Sequence, residues 1–263
     1  MKYKEFFRVH PVFTLDEFRN AIKNKDIKSG YSSLKYYMNT GKVRSIKKGL
    51  YYVIPEGRSP EKFEPDRIHI ASRLSQESVL GFHTALEVMG YGHSVFHRFF
   101  YYSSERKRKF NFKGDEFICV KTPESLKKKG LEFLGVDEDY SRNLSVEFTN
   151  RERTLVDCLN SPEYGGGIEE VYRSVEKYSS LNFEKLLKYL YARDKKVLFT
   201  RVGFFLEQHK EQFYVEKEFL DKLHKEQQSS IVYFDSKRKK GKLVKAWNLV
   251  VPEYVIEKEW EEF

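Results

Sequence analysis

Hydrophobic and polar positions near the start of the chain follow two periods in succession. Phe18, Ala21 and Ile22 recur at i, i+3 and i+4, which predicts one buried helix face. Thr14-Leu15-Asp16-Glu17 ahead of them has the spacing of a capping box. This helix is expected to run to about Lys25, with Lys28-Ser29-Gly30 turning the chain. A second short helix is expected over 31–40, ended by Gly41 in the left-handed conformation. The period then shortens to two. Val43-Arg44-Ser45-Ile46 alternates as a strand, Lys47-Lys48-Gly49 turns, and Leu50-Tyr51-Tyr52-Val53 returns. Two helices and a hairpin in that order predict a winged helix-turn-helix.

Beyond it, 54–60 is dense in turn formers and reads as a linker. Helices are expected over 66–74 and over 78–89, the latter ending at Gly90. From His97 to Val120 aromatic and polar residues alternate as strands broken at Gly114. Thr149-Asn150-Arg151-Glu152 repeats the capping-box pattern and opens a helix carrying Leu155, Val156, Cys158 and Leu159, which stops near Ser161-Pro162. Helical periodicity resumes over 168–178, 183–191 and 200–210. Residues 231–256 are richer in β formers, and an acidic tail closes the chain. The fold class is therefore α+β: an N-terminal winged helix-turn-helix over 1–58, followed by a mixed α/β domain over 59–263 that is open to a further division near 195–210.

Charge sharpens the picture. The chain has 263 residues and a formal net charge of +9. Thirteen Lys/Arg against five Asp/Glu put eight of those charges in the first sixty residues, leaving the rest nearly neutral. A basic excess confined to a small helix–hairpin module is the footprint of duplex DNA binding, because neutralising phosphates releases counterions. In such modules the second helix enters the major groove and wing cations reach flanking phosphates. Ser32, Ser33, Lys35 and Tyr36 are thus expected at the groove, with Lys42, Arg44, Lys47 and Lys48 along the backbone. The competing reading is a protein-docking scaffold whose lysines are a solvated face.

Other chemistry finds little support. There is no run of about 18 apolar residues and no leader with a cleavage site, so no membrane association is expected and the location is expected to be cytoplasmic. Cys119 and Cys158 lack CxxC spacing and read as reduced thiols. His93 and His97 stand at i, i+4, but Gly90 and Gly92 place them in a loop without an HExxH context, so no metal is expected. Gly165-Gly166-Gly167 is followed by neither Lys-Ser/Thr nor a GxGxxG register, and reads as a loop between helices. No cofactor is expected. Asp115-Glu116 with Lys121, and Asp235 with Lys237, are faint candidates for a restriction-like nuclease centre and lack its spacing. Arg106-Lys107-Arg108-Lys109 is a basic cluster that reads as a solvated loop, with a second phosphate contact or an RNA contact as the alternative. The aromatic flank Phe99-Phe100-Tyr101-Tyr102 reads as sheet core.

Taken in order, the wing ending in Lys48-Gly49-Leu50-Tyr51-Tyr52, then Glu152-Arg153-Thr154-Leu155-Val156-Asp157, the glycine triplet, and Arg201-Val202-Gly203-Phe204-Phe205-Leu206-Glu207 resemble the AbiEi-like family. These are antitoxins of type IV toxin–antitoxin (abortive infection, phage defence) modules. The resemblance implies a non-enzymatic protein whose N-terminal module binds the promoter of its own operon as a transcriptional repressor. It also implies that the C-terminal domain neutralises a nucleotidyltransferase toxin, in general without a stable complex. Residues 211–263 match least, apart from a strand at Trp247-Asn248-Leu249. Glu152, Arg153 and Asp157 match the motif and are expected on the antitoxin surface; a plain i, i+4 ion pair between Arg153 and Asp157 is the structural alternative. A dimer on DNA suits a repressor of inverted repeats. The rival functions are a stand-alone winged-helix regulator and a DNA-binding module fused to a nuclease.

Overall fold

The computed structural model describes residues 3–21, 27–105, 108–140, 145–234, 240–258 and 260, with backbone only for 27–30. The protein is mixed α and β. It gathers into two compact units: Met1–Leu80, His97–Lys121 and Glu138–Phe148 form the first, and Gly81–Phe96, Thr122–Asp137 and Thr149–Phe263 the second. The boundary expected at 58 does not separate them. The hairpin residue Tyr52 packs on Phe63 and Phe112, at 6.2 and 6.1 Å between ring centroids, so the N-terminal module shares a unit with the strands that follow.

In the first unit, α1 (Tyr3–Val9), β1 (Val12–Thr14), α2 (Leu15–Ala21) and α3 (Ile27–Asn39) precede the hairpin β2 (Val43–Lys47) and β3 (Leu50–Val53). β3 lies between β1 and β2, antiparallel to both. Phe6, Phe7, Phe13 and Phe18 close a core against Leu34, Val43, Tyr51 and Val53. The rings meet largely tilted or edge-on, as Phe6 does with Phe13 at 5.2 Å. The capping box forms as expected: the Thr14 amide donates to Glu17 Oε2 (2.7 Å) and the Glu17 amide to Thr14 Oγ1 (3.1 Å). Gly41 and Gly49 take φ of +73° and +86°, the left-handed turns their positions demand. Lys28-Ser29-Gly30 does not turn the chain, because α3 already begins at Ile27. One helical glycine costs about 1 kcal/mol, less than burying the face that carries Leu34. The expected end of the first helix, near Lys25, lies outside the described residues.

Next come α4 (Arg67–Ser72), β4 (Val79–Leu80), β5 (Arg98–Ser103), β6 (Phe110–Phe112), β7 (Asp115–Lys121), β8 (Val136–Asp139) and β9 (Val146–Thr149). They give a six-stranded sheet ordered β6-β7-β5-β4-β9-β8. β5 runs parallel to β7, and β6 turns back at Gly114 (φ +86°), where the strand pattern was expected to break. The expected helix over 78–89 is split: Val79 and Leu80 are buried between β5 and β9, and the helix begins after Gly81.

The second unit is largely helical: α5 (Phe82–Val88), α6 (Glu124–Lys128), α7 (Arg151–Asn160), α8 (Ile168–Val175), α9 (Phe183–Arg193), α10 (Lys196–Gln208), α11 (Lys217–Glu226) and α12 (Glu253–Ile256). A three-stranded sheet of β10 (Val232–Tyr233), β11 (Lys242–Val244) and β12 (Leu249–Val251) has β12 in its middle. α7 is buried from Glu152 to Leu159. Its cap is Asn150, whose Oδ1 accepts from the Arg153 amide at 3.0 Å, and not Thr149, whose hydroxyl instead meets that of Thr154 at 2.6 Å. The expected strand at Trp247-Asn248-Leu249 starts only at Leu249, since Asn248 is left-handed (φ +49°) after a 3-10 turn. No helix of the described residues is long and apolar enough to cross a membrane.

Candidate nucleic-acid interface

α3 turns Leu34 inward, leaving Ser32, Lys35 and Tyr36 exposed on the outer side, Tyr36 at 63%. Tyr31, one helical turn before Lys35, joins this face at 54% and was not singled out from the sequence, where an aromatic beside an apolar stripe reads as core. Ser33 is corrected: it is half-buried, and its Oγ accepts from the Tyr3 hydroxyl at 3.1 Å, so it joins α3 to α1. The Leu15 amide donates to the Gly49 carbonyl at 2.9 Å, which pins the hairpin turn to the start of α2.

The four hairpin cations have different settings. Lys48 is exposed at the turn. Arg44 is exposed and pairs with Glu61 at 3.2 Å, while the half-buried Lys42 pairs with Glu56 at 3.6 Å. Lys47 Nζ lies 5.5 Å from the centroid of the Phe110 ring, within cation–π range. Exposed pairs of this kind contribute about 0–1 kcal/mol, so a phosphate can displace either carboxylate at small cost.

Sequence reasoning missed a cavity of about 650 Å³ beside the turn, lined by Lys47, Lys48 and Arg73 together with Asp16, Glu17 and Glu147. Arg73 Nε pairs with Glu17 at 3.1 Å, and its Nη1 donates to Ser72 Oγ (2.8 Å) and the Ser145 carbonyl (3.1 Å). Burial, and then the neighbouring Glu138, raise the Glu147 carboxyl above its ordinary range. Acids and bases balance in this lining, which gives it no net preference for an anion.

Glu152, Arg153 and Asp157 do not form a surface; their exposures are 4, 0 and 1%. Arg153 Nε lies 3.6 Å from Asp157 Oδ2, and its Nη1 donates to the carbonyls of Glu132 (2.8 Å) and Leu134 (3.0 Å). Asp157 also accepts from the Tyr189 hydroxyl (2.9 Å) and pairs with Arg193. Both guanidinium groups lie over the Tyr189 ring, at 5.5 and 5.7 Å. Burial and then Asp157 raise the Tyr189 hydroxyl. Glu152 accepts from the Asn182 amide at 2.8 Å at the start of α9. The cluster is an internal brace joining α7 to α9. Arg201 extends it: its Nη1 donates to the carbonyls of Leu159 (3.2 Å) and Asn160 (2.9 Å) at the end of α7, and its Nη2 to that of Tyr233 (3.0 Å).

The remaining candidates are engaged elsewhere. His93 gives its amide to Glu170 Oε1 (2.9 Å), which also accepts from His83 Nε2 (3.0 Å), the Ser94 amide (3.0 Å) and the Ser174 hydroxyl (3.1 Å). Burial by itself would raise the Glu170 carboxyl, but these bonds outweigh it and hold the group down at about 2. His97 Nδ1 lies 2.7 Å from Asp115, which also meets Arg67. Glu116 pairs with Arg98 and Lys109. No group of three or more His, Cys, Asp or Glu among the described residues is placed to hold a metal ion. Gly166 and Gly167, at φ of +93° and +107°, turn the chain into α8 as an interhelical loop. Arg106, Lys107, Asp235 and Lys237 lie outside the described residues.

No family model and no curated protein matches the chain. Among solved structures it is similar to the RV2827C protein from Mycobacterium tuberculosis, with a TM-score of 0.61 over 98% of this chain and 92% of that one. Their sequence identity is 15%, so the likeness is one of fold.

Proposed function

We propose that the protein is a non-enzymatic DNA-binding repressor of its own operon, acting through an N-terminal winged helix-turn-helix, and the cytoplasmic antitoxin of a type IV module. The observation that carries the DNA-binding half is one face of α3 bearing Ser32, Lys35 and Tyr36, in a segment that holds eight of the nine net charges. α3 is the recognition helix in this reading, and the hairpin is the wing. The antitoxin half rests on the ordered resemblance to AbiEi-like proteins, with a nucleotidyltransferase toxin as functional partner. Burial of Glu152, Arg153 and Asp157 favours a second reading, a stand-alone regulator, because it removes the surface that the motif was expected to supply.

Fluorescence anisotropy on the DNA immediately upstream of the gene, against unrelated DNA over a salt series, tests the first half. Five cations at the interface, Lys35, Lys42, Arg44, Lys47 and Lys48, predict a log–log slope of about −4 to −5. Lys47→Glu with Lys48→Glu is expected to abolish operator preference while leaving a cooperative melt. Equal, weak binding to both DNAs refutes the repressor reading. Rescue of cells expressing the adjacent nucleotidyltransferase separates antitoxin from stand-alone regulator.

A further inference from the structure

The six-stranded sheet carries cations next to the hairpin that the proposed interface does not use. Lys47 at the hairpin turn lies over Phe110 at the start of β6. Arg108 and Lys109 immediately precede that ring, both exposed. Across the sheet edge, Lys109 and Arg98 share the single carboxylate of Glu116, with Arg98 Nε at 3.3 Å. Arg98 and Lys109 on the one Glu116 carboxylate, with Arg108 adjacent in sequence, thus form a cationic group beside Lys47 of the hairpin turn.

From this group we infer that the DNA-binding face continues past the hairpin onto the entry to β6, where Arg108 and Lys109, with Arg98 beside them, bind the duplex phosphates that flank the wing. The inference rests on the repressor reading and extends its footprint. Phosphates advance about 3.4 Å along the duplex axis per strand position, so groups one side chain beyond Lys47 reach the phosphates next to those the hairpin touches. Two features favour this over a merely solvated loop. The Lys47–Phe110 contact fixes the hairpin turn beside the cluster. Among the described residues, Glu116 is the one carboxylate shown to pair with Arg98 and Lys109, so with the exposed Arg108 the group keeps excess positive charge that a phosphate can neutralise.

The test is Arg108→Gln with Lys109→Gln, measured by anisotropy over a salt series on two upstream duplexes, one extended on the wing side and one cut back to the hairpin's edge. Lys128→Gln with Lys188→Gln removes the same charge elsewhere as a control. On the long duplex the Arg108/Lys109 variant is expected to lose about 2 from the magnitude of the slope, near 0.9 per contact. It should match wild type on the short duplex, and the control should leave both slopes unchanged. An unchanged slope for the variant on the long duplex, with wild-type binding intact, overturns the inference while sparing the repressor reading. Equal, weak binding of the wild type to the upstream duplexes and to unrelated DNA overturns the repressor reading instead.

Discussion

Gly203 sits in the interior of α10, where alanine is ordinarily the better residue by about 1 kcal/mol. Here the opposite outcome is expected. A Cβ at Gly203 would overlap Cη2 and Cζ3 of Trp247 and come within 2.8 Å of Cε3. The indole cannot easily yield. It is fully buried, stacked on His224 at 3.7 Å and 14°, and its Nε1 donates to Glu207 Oε2 at 2.7 Å. Overpacking of this kind costs about 1–3 kcal/mol, and breaking a bond to a charged acceptor about 1.5–3. Set against the propensity gain, Gly203→Ala should destabilise by about 3 kcal/mol. At about 2–4 °C per kcal/mol for a chain of this size, the melting midpoint falls by about 6–12 °C. Tryptophan fluorescence reads the change directly, since Trp247 and Trp260 are the two tryptophans. Repeating the substitution in a Trp247→Leu background supplies the control: with the ring gone, alanine should become neutral or stabilising. A variant more stable than wild type, or one equally destabilised in both backgrounds, refutes the argument that the Trp247 ring is what requires glycine.

Two further perturbations probe the second unit. Asp157→Asn leaves the buried Arg153 and Arg193 without their shared counter-charge and should cost about 3–5 kcal/mol in urea unfolding; a loss under about 1 kcal/mol would refute the assignment of Asp157 as the charge that holds the two guanidinium groups. Glu170, held at about 2 in the folded protein against an unfolded value of 4.5, contributes stability that is fully present above pH 4.5 and is lost as pH falls towards 2. After allowance for solvent screening this contribution is about 2 kcal/mol. Glu170→Gln should therefore be less stable than wild type at neutral pH and converge with it at pH 2, and a gap that persists unchanged to pH 2 would refute the assignment.

What the sequence revealed and what it hid differ in the range of the interactions involved. The α2 capping box, the β2–β3 hairpin with its Gly49 turn, and the broken strands around Gly114 were legible because each signal is complete within a few residues. Gly30 misled because its local preference was outweighed by the packing of the whole helix. Val79 and Leu80 misled because only their pairing with Tyr102, Tyr101 and Phe148 makes them a strand. The deeper failure was at α7. The family resemblance puts Glu152, Arg153 and Asp157 on a surface, whereas the spacing of four alone gives the Arg153–Asp157 ion pair that is formed, in the interior. Their partners are Tyr189, Arg193, the Asn182 amide and the carbonyls of Glu132 and Leu134, none of which lies near them in sequence. Arg201 and Gly203 belong to the same class, one holding the end of α7 and the other making room for Trp247. The stretches that carry the family resemblance in the second unit therefore have architectural work, enough to account for their residue types without any toxin. It follows that a substitution within 152–157 which abolished antitoxin activity would report loss of the brace before it reported a lost contact. A toxin-directed function should instead be sought by changing exposed residues outside those stretches, in variants whose melting is unaltered.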